Sequence, residues 1–276
     1  MTKTEIYWFS GTGNSLHIAK ELQRRLPETE LTGMIKHLDD ERIVTDAEKV
    51  GIVFPIYLNS VPIKIREFLS KFDPTGVDYI FANATHGGAA NPTLSAILID
   101  KILKKKGKNL DNFFDFEMTM NTPTGIVPSI IPGSKKWVGE ISEDKVRVKD
   151  EKIQDKLEFV SRKIKDNEKY SVSTGFFNRF KELIMTPLSN RKGVEIAFKT
   201  DETCSGCRLC EKVCLSGKVQ MKNGKPQWNK DIDCFYCYAC FNFCPQQAIL
   251  VGKQYTEKNG RFHHPDVTAE EIASQK

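Results

Sequence analysis

The sequence predicts an α/β domain with a doubly wound parallel sheet, followed by a small α+β module that is rich in cysteine. The chain has 276 residues, which is nearly twice the length of a typical domain. Strand-like and helix-like segments alternate through its first half, and this alternation is typical of a parallel sheet covered by helices. All eight cysteines lie between Cys204 and Cys244, and the 203 residues before them contain none. The two parts therefore differ in composition as well as in predicted architecture.

The first predicted strand covers residues 4–9 and runs into a helix with Leu16, Ala19, Leu22 and Leu26 on one face. Parallel strands end at the same edge of their sheet, so the loops after the first three predicted strands are expected to meet there and bind a ligand. The other elements of the first part are a buried strand at 49–54, a helix carrying Ile65, Phe68, Leu69 and Phe72, a strand at 79–82, a helix capped by Asn91-Pro92, an edge strand over 114–118 and a helix near 150–168.

The loop after the first strand has a composition that suits a phosphate. It reads Ser10-Gly11-Thr12-Gly13-Asn14-Ser15 and leads directly into a helix, whose first backbone N–H groups attract anions. It lacks the Gly-Lys-Ser/Thr of a P-loop, and Leu16 stands where a dinucleotide fingerprint needs a third glycine. Hydroxyl and glycine N–H groups remain, which suit a terminal phosphomonoester bound without a counter-cation. The alternative is an ordinary turn between a strand and a helix.

The cysteines follow a doubled spacing that is typical of two 4Fe–4S clusters. Three cysteines at x2 intervals ligate one cluster, and the fourth cysteine of each run ligates the other cluster. The runs are Cys204-x2-Cys207-x2-Cys210-x3-Cys214 and Cys234-x2-Cys237-x2-Cys240-x3-Cys244-Pro245. The spacing assigns Cys204, Cys207, Cys210 and Cys244 to one cluster, and Cys234, Cys237, Cys240 and Cys214 to the second. Disulfides would require an exported protein, and structural zinc favours C-x2-C pairs separated by longer loops.

Neither the charge nor the hydropathy of the sequence predicts nucleic-acid binding or a membrane span. The formal net charge of +5 is thinly spread, and its densest run, 104–106, complements the C-terminal end of a predicted helix. The longest uncharged stretch, 234–252, contains four cysteines and a proline, which exclude a transmembrane helix. The N-terminal residues show no export signal. We therefore expect a cytoplasmic protein without disulfides.

Two stretches of the sequence resemble known families. Ser10–Ser15 matches position by position the FMN-phosphate loop of flavodoxins, Ser/Thr-x-Thr-Gly-x-Ser/Thr. Residues 199–252 resemble the bacterial dicluster ferredoxins, although Leu215 stands where a proline usually follows the fourth cysteine. Together with Phe54-Pro-Ile-Tyr57, these motifs make the whole chain similar to the flavodoxin–ferredoxin fusion proteins of anaerobic bacteria, sometimes called ferrodoxins.

The resemblance implies three regions and a set of cofactor contacts. They are a flavodoxin-like FMN-binding domain with a five-stranded sheet at 1–169, a linker with a short docking helix at 170–198, and a dicluster 4Fe–4S ferredoxin domain with a C-terminal tail at 199–276. The cluster of apolar residues in the linker predicts the face through which its helix docks: Phe176, Phe177, Phe180, Leu183 and Ile184. Tyr57 is expected to stack on the flavin ring, and the backbone from Thr85 to Ala89 to contact its pyrimidine side. An uncharged segment with three prolines, 120–133, is a candidate lid over the ring. The predicted FMN contacts are Ser10, Gly11, Thr12, Gly13, Asn14, Ser15, Pro55, Ile56, Tyr57, Asn83, Thr85, His86, Gly87 and Gly88.

These features predict an electron-transfer protein. It would pass low-potential electrons between two 4Fe–4S clusters and FMN, and on to a redox partner such as a ferredoxin- or flavodoxin-dependent oxidoreductase. One alternative is an FMN-dependent reductase of a small molecule, with the clusters as electron inlet and His86 or Asn121 lining its pocket. Another is a first domain that binds a partner and no FMN.

Overall fold

A five-stranded parallel sheet forms the centre of the N-terminal part. The computed structural model describes residues 3–88, 90–119, 141–169, 175–189, 196–251 and 261–276. The strands lie in the order β2-β1-β3-β4-β5, and every neighbouring pair is parallel. This is the flavodoxin-like order, in which the chain reverses its direction of winding between β1 and β3. The strands are β1 (Thr4–Trp8), β2 (Thr29–Gly33), β3 (Lys49–Pro55), β4 (Tyr79–His86) and β5 (Asn112–Glu117).

Burial along the strands follows their place in the sheet. The central strands β3 and β4 are buried along their whole length. Strand β5 lies at one edge, where Asp115 and Glu117 alternate with buried phenylalanines as the sequence predicts. Strand β2 lies at the opposite edge and was not located in the sequence, because Thr29–Gly33 is short and largely polar.

Four helices cover the sheet: α1 (Asn14–Arg25), α2 (Ile63–Lys71), α3 (Pro92–Lys104) and α4 (Glu143–Lys165). The predicted apolar face of α1 is buried, and so are Ile153 and Leu157 on α4. Helix α4 begins earlier than the sequence predicts because the hydroxyl of Ser142 accepts a hydrogen bond from the Lys145 N–H and caps the helix. The predicted lid at 120–133, together with Ala89 and Asn121, lies outside the described residues.

The segment between the two parts contains α5 (Phe176–Ser189), which lies against α3. The buried Glu182 pairs with Lys101 of α3 at 3.6 Å. The apolar face that we expected to dock is exposed instead, because the helix meets α3 through the side that carries Glu182. The exposed side chains are Phe176, Phe177, Phe180, Leu183 and Ile184.

The C-terminal module is a small α+β unit. The antiparallel pair β6 (Phe198–Thr200) and β9 (Ile249–Val251) joins its two ends. The hairpin of β7 (Val219–Lys222) and β8 (Lys225–Trp228) turns at Asn223-Gly224, with positive φ at both residues. Short helices α6 (Leu209–Lys212) and α7 (Ala239–Asn242) follow the cysteine loops, and α8 (Ala269–Ala273) lies near the C-terminus.

The two cysteine runs repeat the same backbone conformation 30 residues apart. Helices α6 and α7 are related by this offset. The φ angles repeat as well: 70° at Gly206 against 56° at Tyr236, and 64° at Arg208 against 53° at Tyr238. Tyrosine and arginine rarely adopt positive φ, so the surrounding packing must impose this loop shape on both runs.

The cysteines and the longer helices also bear on disulfides and membrane spans. All eight cysteines lie in described residues and have free thiols. None of the helices in the described ranges is long and apolar enough to cross a membrane.

Candidate functional site

The loop Ser10–Ser15 lies at the carboxyl end of β1, where α1 begins. Gly13 precedes the helix with a φ of 96°, a conformation that glycine adopts without strain. The Ser10 hydroxyl accepts a hydrogen bond from the Gly13 N–H at 3.1 Å, and Ser15 Oγ lies 2.8 Å from Thr85 Oγ1. The loop is thereby tied to β4, and the first N–H groups of α1 point toward it.

A cavity opens above this loop and holds about 330 Å³ of empty space, part of it open to solvent. None of the residues that line it is a lysine or an arginine. Asn14 Oδ1 is buried there without a hydrogen-bond partner among the described residues, although its Nδ2 donates to the Thr119 carbonyl at 2.7 Å. Hydroxyl and backbone N–H donors without a cation fit a phosphomonoester. The lining residues are Ser10, Gly11, Thr12, Asn14, Ser15, Pro55, Tyr57, Thr85, His86 and Cys237.

Of the remaining predicted FMN contacts, Gly13, Ile56, Asn83, Gly87 and Gly88 do not line this cavity. Ile56 donates its N–H to the Thr85 carbonyl at 2.8 Å, which joins the second loop to the third. Asn83 is buried within β4, and neither polar atom of its side chain has a partner in the part of the chain that the structure describes.

His86 has both ring nitrogens in hydrogen bonds. Nδ1 accepts from the Gly88 N–H at 3.1 Å, so Nε2 carries the proton and donates to Asp115 Oδ2 at 2.9 Å. This hydrogen bond lowers the pKa of Asp115 below its usual range. Through these two hydrogen bonds, His86 fixes the position of the loop that follows β4.

Four cysteines from both runs line one cavity in the C-terminal module. They are Cys204, Cys207, Cys210 and Cys244, which we call the outer set, and the cavity holds about 320 Å³ of empty space, part of it open to solvent. Cys207 is exposed, and every residue that lines this cavity belongs to the module. Burial, followed by the charges of the other three thiolates, raises the pKa of Cys210 to about 12.

The other four cysteines form a second group: Cys214, Cys234, Cys237 and Cys240, which we call the inner set. Burial raises the pKa of Cys240 well above its usual range, and the thiolate charges of the other three raise it further. A buried thiolate without a counter-charge is costly, and a metal centre removes that cost by binding the deprotonated sulfur. The ligand assignment itself stays a prediction.

Backbone N–H groups also point at the sulfur atoms. Val219 donates to Cys214 Sγ at 3.4 Å, Tyr236 to Cys234 Sγ at 3.4 Å, and Ala248 to Cys244 Sγ at 3.3 Å. Such bonds stabilise thiolate and are one of the levers on the potential of an iron–sulfur cluster. Residues of both runs thus fit iron–sulfur clusters in their burial and their donors.

The inner set lies directly against the loop Ser10–Ser15. A Cβ atom on Gly11 would be 2.3 Å from the Cys237 carbonyl oxygen, so this approach requires glycine. Tyr57 lies at the same contact: burial, followed by the nearby Cys237 and Cys234, raises its pKa well above the usual range. Lys64 of α2 lies 5.2 Å from the centre of the Phe235 ring and adds a cation–π contact beside it.

The C-terminal segment 261–276 also contacts the loop Ser10–Ser15, and no pattern in the sequence predicts this contact. The Gln275 side chain accepts from the Ser10 N–H at 3.0 Å and donates to the Ser10 carbonyl at 2.7 Å. The His264 N–H donates to the Thr12 carbonyl at 2.8 Å. Sequence reasoning missed these contacts, because a single glutamine or histidine in a polar segment has no recognisable period or spacing.

Comparisons with known proteins agree with this picture. The family model of a 4Fe–4S dicluster domain matches residues 203–249. One subunit of an ion-translocating oxidoreductase complex from Methanosarcina acetivorans is 33% identical over 61 residues, which is 22% of this chain and 23% of that protein. The chain therefore spans about a quarter of the length of this curated relative.

Two solved structures are similar over part of their backbones. Rubredoxin:oxygen oxidoreductase from the anaerobe Desulfovibrio gigas aligns over 60% of this chain and 37% of its own, at 14% identity and a TM-score of 0.37. NAD(P)H:quinone oxidoreductase from Methanothermobacter marburgensis aligns over 60% of this chain and 98% of its own, at 10% identity and a TM-score of 0.34.

The C-terminal module is thus an iron–sulfur dicluster domain, and it follows a domain with the flavodoxin-like strand order. The resemblance to dicluster ferredoxins is confirmed over residues 203–249, and the N-terminal domain has the strand order that the resemblance to flavodoxins implies. An iron–sulfur domain joined to this fold supports a role in electron transfer.

Proposed function

We propose that the protein is an electron carrier whose flavin-binding domain and iron–sulfur domain exchange electrons across a direct contact and pass them to a redox partner protein. In this proposal FMN binds at the loop Ser10–Ser15, and the inner and outer sets of cysteines each hold one 4Fe–4S cluster. When bound, the clusters transfer single electrons while the flavin takes up one or two, so their pairing interconverts one-electron and two-electron transfer.

The contact between Gly11 and the Cys237 backbone carries the proposal. Electron tunnelling falls steeply with distance, so exchange between two cofactors requires neighbouring sites. Cys237 lines the cavity above the phosphate loop, which means that the two proposed cofactor sites share a wall. Tyr57 also lines that cavity and is close to two cysteines of the inner set, where its ring limits water.

The inner and outer sets have different surroundings, and this supports different roles for them in electron transfer. The inner set faces the N-terminal domain, whereas the cavity of the outer set is lined by residues of the module alone. Cys207 is exposed, and the neighbouring Arg208 side chain is 69% exposed. We therefore assign the surface around Cys207 to the redox partner and the Gly11–Cys237 contact to internal transfer.

The composition of the anaerobically purified protein tests the cofactors. We expect about 8 Fe with matching sulfide, from two four-iron clusters, and one FMN per chain after acid extraction. Full iron and sulfide without flavin would overturn the FMN site. About 4 Fe per chain, the content of a single four-iron cluster, would overturn the assignment of one set.

Kinetics tests the transfer itself. The flavin of the fully loaded protein should be reduced within milliseconds when reduced ferredoxin is mixed with it, and the rate should not depend on protein concentration once ferredoxin is bound. A control reaction with quinones and other small acceptors distinguishes the electron carrier from the alternative, which is a reductase of small molecules. Steady turnover of such an acceptor, faster than that of any protein partner, would make the protein a reductase instead.

A further inference from the structure

Two histidines and a carboxylate from opposite ends of the sequence meet beside the phosphate loop. His17 lies in the first half of α1, and His264 and Asp266 lie in the C-terminal segment 261–276. The two imidazole rings stack with centroids 3.8 Å apart and planes 22° apart. One potential metal-ligand atom from each of the three residues lies within 4.8 Å of the other two.

Both imidazoles are buried, yet they are poorly hydrogen-bonded. His17 is 5% exposed and His264 is 1% exposed. The Nε2 atom of each ring has no hydrogen-bond partner within the ranges that the structure describes. Such unpaired polar atoms cost about 1–3 kcal/mol each when buried. Stacking of the two rings leaves these nitrogen atoms without a hydrogen bond, so packing alone does not explain why both histidines are buried here.

The ring nitrogens and carboxylates are arranged as a ligand set. His17 Nδ1 lies 3.5 Å from Asp266 Oδ2, which is long for a hydrogen bond. His264 Nδ1 accepts a hydrogen bond from the Asp266 backbone N–H at 3.3 Å, and this bond must break before Nδ1 can bind an ion. On the other side of the ring, His264 Nε2 lies 3.8 Å from Asp150 Oδ2 of α4. A second carboxylate behind a ligating imidazole is the usual device that orients it on a metal.

The surrounding charges also favour a cation. The carboxylates of Asp266 and Asp150 lie beside the two rings, at 3.5 Å from His17 Nδ1 and 3.8 Å from His264 Nε2. A cation at the rings would be attracted to both carboxylates. The two cations whose charges act on His17, Arg24 and Lys20, already pair with carboxylates: Arg24 with Glu21, and Lys20 with Glu271 at 2.8 Å.

We propose that His17, His264 and Asp266 bind a divalent transition-metal ion of the zinc type, with Asp150 orienting His264. Two imidazoles and one carboxylate are a ligand set that Zn²⁺ accepts, with water at the open fourth position. Asp266 is 66% exposed and leaves a path for the ion. Tetrahedral bonds of about 2.0–2.2 Å place ligand atoms about 3.4 Å apart. The three side chains must therefore close by little more than about 1 Å, and the stacked rings must rotate apart.

The ion would join the C-terminal segment to α1 next to the phosphate loop. His17 donates its N–H to the Gly13 carbonyl at 2.8 Å, and His264 donates its N–H to the Thr12 carbonyl at 2.8 Å. Both ligands are thus one hydrogen bond away from the loop. This site is separate from the cysteines, and its role differs from electron transfer. The bound ion would fix the segment 261–276 against the loop Ser10–Ser15.

Zinc binding to the iron-loaded full-length protein tests this site. Full iron occupancy keeps the cysteines from binding Zn²⁺. We expect one Zn²⁺ per chain by elemental analysis after excess metal is removed, and a zinc X-ray absorption shell of nitrogen and oxygen at about 2.0–2.2 Å. A shell of sulfur at about 2.3 Å, or no retained zinc at full iron, would overturn the proposal.

Asp266→Asn is the decisive variant because its exposed side chain contributes little to folding. We expect its affinity for Zn²⁺, measured by competition with a chelating dye, to fall more than tenfold, while iron content and flavin stay unchanged. Asp144→Asn, at a carboxylate that is 90% exposed on α4, is the matched control and should bind as the wild type does. Equal affinities in both variants would overturn the site. A protein that lacks FMN but binds zinc in this way would refute the proposed function and leave the metal site intact.

Discussion

The two cysteine runs have the same spacing and the same backbone, yet they face different surroundings. Their helices and their positive φ angles repeat at an offset of 30 residues. Cys237 of one run contacts Gly11, whereas the equivalent Cys207 of the other run is exposed. Local sequence thus determines the backbone conformation of each run, and packing of the module against the first domain determines which run lies against that domain.

The difference teaches that symmetry within a domain does not survive assembly. A dicluster module by itself presents two similar surfaces, and either could meet a partner. Here the N-terminal domain covers one of them with glycine and tyrosine at the contact, and the C-terminal segment clamps the loop from the other side through Gln275. The other run keeps an exposed cysteine, Cys207.

Loss of one cysteine from each run should separate the inner and outer roles most strongly. In Cys237→Ser the inner cluster should be lost, and flavin reduction by the remaining cluster should fall more than 100-fold, because the proposed neighbour of the flavin is missing. In Cys207→Ser the inner cluster should remain and accept electrons from dithionite. Cluster spectra by electron paramagnetic resonance and stopped-flow absorbance measure both. Equal flavin kinetics in the two variants would show that the runs are interchangeable.

The glycine at the contact provides the second test. Gly11→Ala places a methyl group 2.3 Å from the Cys237 carbonyl oxygen and 2.8 Å from its Cβ, so the module must move away from the loop. We expect flavin reduction to slow at least tenfold, with iron content unchanged. Gly175→Ala is the control, since nothing lies within 4 Å of its added Cβ. An unchanged rate in Gly11→Ala would break the assignment of this contact to electron transfer.

Much of this architecture could be predicted from the sequence, and the failures have physical causes. Buried β-rich runs located β3 and β4, and a 3.6-residue period located α1, because these patterns arise from the chain's own geometry. Strand β2 escaped because an edge strand with little apolar content has no such period. The spacing predicted two interlocked cysteine sets for the same local reason.

The long-range contacts could not be predicted in this way. Both runs have equal spacing, so nothing in the sequence distinguishes the inner from the outer set. Gln275 and His264 are single polar residues in a segment that we had described as a tail, and their partners lie more than 250 residues earlier in the chain. The apolar residues of α5 pointed to a docking face, yet Phe176 and Phe177 are exposed.

The clamp from Gln275 predicts a smaller effect. Gln275→Ala removes three hydrogen bonds, two of which bind Ser10, and leaves the buried N–H and carbonyl of Ser10 without them, which should cost about 1–3 kcal/mol for the docked segment. Faster amide hydrogen exchange over residues 261–276 and in the loop measures this cost, and the cysteine runs should exchange as before. Gln23→Ala, which loses one exposed hydrogen bond, should change neither region. Wild-type protection in Gln275→Ala would mean that this side chain does not hold the segment on the loop.

The smallest effect tests the backbone equivalence of the runs themselves. Gly217 and Gln247 occupy the same place in the repeat, with φ angles of 70° and 49°. In this conformation a residue other than glycine is less stable by about 1–2 kcal/mol. Part of this advantage of glycine is offset, because a glycine gives the unfolded chain more conformational entropy. Gly217→Ala, which meets no atom within 4 Å, should therefore destabilise the module by about 1 kcal/mol.

Gln247→Gly should have the opposite sign, with a gain of about 0.5 kcal/mol. The unfolding temperature of the iron-loaded protein, measured anaerobically for both variants, reports the two signs. Opposite shifts would establish that the runs share one loop conformation and that packing alone makes them unequal. Shifts of the same sign would mean that the loops differ already at the level of the backbone, and that part of the distinction between inner and outer sets is built into the module.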